Sequence, residues 1–173
     1  MKRTFLSLIT LLLAIFLLPG CGESLPDGMP RLYPASIAVV QEGTPLEGAI
    51  VQLIPENEDH SAWVPTGTTD AQGVAVLQTN GRFAGAPLGS YRVTVTKREQ
   101  EPHPHPELAA YPPGDPNHQR FVEIGRNLRA FNLVAPIYSS VVDTPLRVEI
   151  VAGQRNYEVD AGEITRIEFM RQR

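Results

Sequence analysis

The sequence predicts an all-β protein, an antiparallel sandwich of about seven or eight strands interrupted by one long proline-rich insertion. Three observations predict it. Apolar residues recur with a period of two in several short runs. Turn signals built on Gly, Asn and Asp separate those runs. Neither a heptad pattern nor a repeated unit of roughly 20 to 50 residues occurs. With 173 residues, 42% hydrophobic and 20% charged, the chain has the apolar material for one packed domain and too little charge for wholesale disorder.

The runs follow in order. Ile37, Val39 and Gln41 alternate with Ala38 and Val40 and end at the turn pair Glu42-Gly43. Residues 46–54 form the next run, with Ala49, Val51 and Leu53 on one face; Pro45 can begin such a strand but not sit centrally in it. Residues 62–69 are the third. They lead into Asp70-Ala71-Gln72-Gly73, a turn with Asp first and Gly last, from which 74–79 returns as a hairpin. Residues 90–97 give the clearest strand, with Tyr91, Val93 and Val95 on one face and Arg92, Thr94 and Thr96 on the other. After the insertion, 146–151 resumes the pattern. Residues 157–160 and 164–170 then read as a closing hairpin through Ala161-Gly162, with Thr165, Ile167 and Phe169 inward and Arg166 and Glu168 outward.

The insertion spans 99–142. Its first part, QEPHPHPELAAYPPGDP over 100–116, holds six prolines and favours polyproline II and loop. Further on, Ile124, Leu128 and Phe131 stand at helical spacing, against which Gly125 argues. An ordered-length excursion of this size is usually functional or disordered.

Before the first strand lies an address. Met1-Lys2-Arg3, an apolar run over 5–18 and Pro19-Gly20 have the layout of a secretory signal peptide, residues 1–20, and the run is shorter than a spanning helix needs. The sole cysteine, Cys21, follows at once. Leu18-Pro19-Gly20-Cys21 resembles the bacterial lipobox, with Pro19 its departure from the pattern; the resemblance implies that Cys21 is acylated and becomes the new N-terminus. Residues 21–34 then act as a short polar tether for a single domain over 35–170. Gly22 beside the modified cysteine implies the outer membrane or a periplasm-facing position in the cell envelope. Acyl chains supply the hold on the membrane at about 0.8 kcal/mol per buried methylene. The net charge of −4 offers anionic lipid nothing and disfavours nucleic acid as a partner.

Three stretches carry a family resemblance: Gly43-Thr44-Pro45-Leu46-Glu47-Gly48-Ala49-Ile50-Val51, Thr69-Asp70-Ala71-Gln72-Gly73-Val74-Ala75, and Gly89-Ser90-Tyr91-Arg92-Val93-Thr94-Val95. The chain resembles planctomycete-type lipoproteins with a carboxypeptidase regulatory-like domain, a transthyretin-like, Ig-like sandwich similar to the B-type repeats of collagen adhesins. The likeness covers 35–97 and, loosely, the closing strands. It implies a fold rather than an activity. Such repeats often carry a Lys–Asn crosslink from a lysine on the first strand; the lysine after the leader is Lys97, at the end of the fifth run, so no such crosslink is expected.

No enzyme is expected either. The chain has no Gly-x-Ser-x-Gly elbow, no phosphate-cradling glycine loop and no His-Glu-x-x-His, and no cofactor is implied. The leading expectation is a non-enzymatic envelope module for protein interaction or structural support. Its candidate binding surface consists of Tyr111, Phe121, Phe131 and Tyr138 in the insertion, facing an unknown envelope protein. Trp63 offers a second reading, a carbohydrate-binding module in which the indole stacks on a sugar ring of an envelope glycan. A third is a periplasmic metal-binding protein using His103, His105 and His118, with Asp115 nearby. Prolines at 102, 104 and 106 set the first two imidazoles about 120° apart in a threefold helix, which weighs against a shared metal and for a solvated loop.

Overall fold

The computed structural model describes residues 25–168. The leader 1–20, Cys21, Phe169 and Met170 lie outside the described residues. The chain is mostly strand, arranged in several sheets that are antiparallel but for one pairing, with few helices.

In chain order the strands are β1 (Leu32–Tyr33), β2 (Ser36–Gln41), β3 (Thr44–Pro45), β4 (Ile50–Pro55), β5 (Pro65–Thr68), β6 (Val74–Val76), β7 (Gln78–Thr79), β8 (Phe83–Ala84), β9 (Ala86–Pro87) and β10 (Gly89–Thr96). Beyond them come β11 (Arg98–Gln100), helix α1 (Pro116–Asn127), β12 (Ala130–Asn132), the short helix α2 (Pro136–Ser139), β13 (Arg147–Ile150), β14 (Asn156–Asp160) and β15 (Ile167–Glu168). A six-stranded sheet runs β13-β10-β4-β5-β7-β8. A second sheet centres on β2, with β14 on one side and β3 and β6 on the other. A third, β11-β12-β15, stands at the end of β10.

The period-two pattern places the core as the sequence anticipates. Ile37, Val39 and Gln41 of β2, Val51 and Leu53 of β4, and Tyr91, Val93 and Val95 of β10 are all buried. One cluster takes in residues of both large sheets, joined by Leu77, Ala86, Ile150, Tyr157 and Val159. Each fully buried Leu or Val side chain in it contributes about 1.5–3 kcal/mol against exposure. Polar groups that enter the core are bonded there. Thr69 Oγ1 donates to Leu46 O and accepts from Ala49 N at 2.8 Å; Thr144 Oγ1 donates to Val93 O at 2.6 Å.

The Asp70 turn forms as its residues require. Asp70 Oδ1 accepts from the amides of Gln72 and Val74, both at 2.9 Å, and Gly73 takes the positive φ of 75°. What returns from it is not one strand. The chain changes sheets at Leu77: β6 pairs β2, whereas β7 pairs β5. Leu77 is fully buried, its N–H donates to Ala35 O at 3.0 Å, and its carbonyl accepts from Gly85 N at 2.9 Å.

The far end of the segment expected as a tether belongs to the folded unit. Leu32 and Tyr33 pair with Pro87 and Ala86. Gly85, at φ 102°, lets the backbone of Tyr33 pass; a Cβ there would collide with the Tyr33 carbonyl.

The closing hairpin is corrected. β14 lies parallel to β2, Asn156 beside Ser36 through Asp160 beside Val40. After β13 the chain crosses to the other sheet and enters at the end where β2 begins, anchored by Ser36 N donating to Arg155 O at 2.7 Å. β15 pairs β12 instead of β14, and Ile167 is 42% exposed rather than inward. The cause is the turn at 160–163, where Asp160 Oδ1 accepts from Gly162 N and the buried Gln41 side chain holds the Glu163 carbonyl. That bond carries the chain on past β2 toward β12.

The 99–142 stretch is folded. β11 and β12 pair antiparallel and bring its two limbs together. Between them α1 starts at Asp115, whose carboxylate accepts from Asn117 N at 2.7 Å, with Pro116 in the first turn. Phe131 does not continue that helix: Leu128 is already extended and Phe131 sits in β12.

Candidate functional site

The aromatic candidates of the excursion do not form one surface. Tyr111 is 42% exposed. Phe121 is half-buried on α1 and packs beneath His103, ring centroids 4.2 Å apart. Phe131 is buried, with Arg166 over its face at 4.2 Å and Arg129 at 5.7 Å. Tyr138 packs against the main core. Phe131 is therefore withdrawn from the surface expected of it, while half-buried Tyr138 seats the excursion on the core.

Trp63 lies outside the buried core, half-buried on the loop between β4 and β5, where its backbone N–H donates to His60 O at 2.8 Å.

The rings of His103 and His118 bond backbone carbonyls, which sets their tautomers, whereas that of His105 meets a carboxylate. His103 Nδ1 accepts from His105 N at 3.0 Å, so Nε2 bears the proton that it donates to Phe121 O, also at 3.0 Å. His118 Nδ1 donates to Tyr111 O at 2.9 Å. His105 Nδ1 faces Glu107 Oε1 at 3.2 Å. The Glu107 carboxyl lies below its usual range, chiefly because its own backbone N–H bonds it and further through His105. Among the described residues no group of three or more His, Cys, Asp or Glu side chains is placed to hold a metal ion. His103 instead ties the proline-rich limb to α1.

At the base of the excursion Arg129 Nε donates to Glu101 Oε1 at 2.9 Å, and Glu101 N donates to Arg129 O at 2.9 Å. The side-chain bond from Arg129 is the main reason that the Glu101 carboxyl falls below its usual range; partial desolvation opposes it, and the charges of Arg129 and Arg166 add to it.

A groove that sequence reasoning missed runs along the seam between the main sheets and the excursion. It has a volume of about 300 Å³ and is lined by Gln41, Thr44, Pro45, Leu46, Lys97, Leu133, Ile164, Thr165 and Arg166. Four separate stretches of chain supply it, so no local motif announces it. Gln41 forms its inner wall, with Nε2 donating to Leu133 O and Glu163 O, both at 3.1 Å. The one hint in the sequence is Gln41 itself, an amide in the buried phase of an otherwise apolar strand.

No family model, no curated protein and no solved structure matches the chain. Among the described residues no helix is long and apolar enough to cross a membrane.

Proposed function

We propose that the chain is a non-enzymatic, lipid-anchored module of the cell envelope, held through Cys21, with a carboxypeptidase regulatory-like sandwich as its body and the lobe over 101–129 as its contact surface for an envelope protein. What supports the sandwich is the single core cluster to which β2, β4, β10 and β14 all contribute. One observation carries the functional reading. The lobe is built and tied at both ends, yet α1 contributes no buried residue. Its apolar residues Phe121, Val122 and Ile124 are only half-buried, a small return for ordering that costs about 1–2 kcal/mol per residue in backbone entropy; a surface for another molecule accounts for it.

The test is crosslinking in intact cells followed by mass spectrometry. The limbs meet at Glu101 and Arg129, so the lobe between them can be replaced by a two-residue Asn-Gly turn. Crosslinks from the lobe to one envelope protein, lost in the shortened variant while Cys21 is still acylated, are the expected result. Equal capture by the shortened variant would overturn the reading.

The position of Trp63, half-buried on its loop and outside the core, favours a second reading, a carbohydrate-binding module. Indole fluorescence that shifts on addition of cell-wall polysaccharide, and does so equally in the shortened variant, would establish it over the first.

A further inference from the structure

The groove at the seam combines an apolar body with a basic rim. Its body is apolar, formed by Pro45, Leu46, Leu133 and Ile164, and none of its lining residues is acidic. Two cations border it, and they differ. Arg166 is engaged, paired with Glu99 at 3.4 Å and laid over Phe131. Lys97 is half-buried and forms no ion pair among the described residues. Beside it in the lining, Thr165 Oγ1 is buried with no hydrogen-bond partner. A buried hydroxyl without a partner is costly where it stands, and the Lys97 ammonium has no counter-ion among the described residues.

We propose that this groove binds a small aliphatic carboxylic acid as its anion. The carboxylate pairs with the Lys97 ammonium, and the Thr165 hydroxyl, buried in the groove wall, turns toward it to gain the partner it lacks, while the alkyl body lies along Leu46, Leu133 and Ile164. Charge complementarity selects the anion: on a chain of net charge −4, an acid-free groove with an uncommitted lysine is a local positive site. Size bounds the occupant. At about 30 Å³ per water-sized group, 300 Å³ admits a ligand of roughly ten non-hydrogen atoms, at the lower end of small-molecule sites. Octanoate fits that description.

The sequence supplies its own reporter, since the lysines are Lys2 and Lys97 alone. Reductive methylation of the full chain with ¹³C-formaldehyde labels Lys97 while keeping its charge. Octanoate should shift the Lys97 dimethyl resonance saturably, and 1-octanol, of the same length without the charge, should do so at about tenfold higher concentration or more. Binding followed calorimetrically should weaken about tenfold in Lys97→Met and be retained in Lys97→Arg. The Thr165→Val variant, which leaves the lysine alone, should also weaken it. Equal response to octanol, unaltered affinity in Lys97→Met, or no saturable shift at millimolar octanoate would each overturn the proposal. Should Lys97→Met fail to fold, the octanoate–octanol comparison on the native chain decides alone.

Discussion

The side-chain amide of Gln41 donates to the backbone carbonyl of Leu133, 92 residues further along the chain, at 3.1 Å. With its second proton it holds the carbonyl of Glu163 at the same distance. One buried amide therefore fastens the first long strand to the excursion and to the segment entering the last strand.

Replacing this amide by a group of similar size without donors strands both carbonyls. Gln41→Leu should lower the unfolding free energy by about 2 kcal/mol, since an orphaned buried group costs about 1–3 kcal/mol. Urea denaturation followed by circular dichroism measures it. Gln41→Glu should be at least as harmful, because a carboxylate places acceptors against acceptors. A stability within error of the native chain in both variants would show that the two carbonyls find water instead.

Gly85 should tolerate no side chain. Its φ of 102° and the carbonyl of Tyr33 in the path of a Cβ combine backbone strain with a collision against main chain, which cannot rotate away. Gly85→Ala should cost about 2 kcal/mol or more and loosen β1 from β9. Cleavage by trypsin after the exposed Arg31 should accelerate in the variant. An unchanged cleavage rate would place the accommodation elsewhere.

Tyr91 donates its phenol to Pro87 O at 2.8 Å, and burial raises its pKa to about 12. Its folded value thus lies above the unfolded value of 10.0. Its contribution to stability is complete below pH 10 and declines as the pH climbs through the folded value. In an absorbance titration of the five tyrosines, one should ionise last, near 12, together with loss of the fold. Tyr91→Phe should remove that final step.

The Glu101 carboxyl responds in the opposite direction. Bonded by Arg129, its folded pKa lies below the unfolded 4.5. The stabilisation it provides is present above 4.5 and lost as the pH falls through the folded value. A ¹³C-carboxyl titration should give Glu101 a midpoint below 4.5, raised in Arg129→Gln. Because the pair is solvated, added salt should narrow the difference.

The sequence made the body of this protein legible where burial alone selects residues. Ile37, Val39, Val51, Leu53, Tyr91, Val93 and Val95 are read from period two because each strand has one wet and one dry face. It was silent where partners are remote. Nothing local to 164–168 says that Ile167 will oppose Asn132 rather than β14, because that pairing depends on a bond from Gln41. The start of α1 was in plain view as Asp115-Pro116, a capping residue followed by a proline suited to the first turn, and was hidden by the surrounding prolines. The Lys97 groove was invisible for a different reason: its walls come from four stretches that share no pattern.

The change of sheet at Leu77 has a mechanical meaning. Because β6 and β7 belong to different sheets and are separated by one fully buried residue, peptide backbone, and not side-chain contact alone, couples the two sheets. Neither sheet can move far from the other at this point, for one covalent thread lies in both. A tug delivered to β2 from the N-terminal side passes into the six-stranded sheet within a single residue, so the body should yield to load as one unit or not at all.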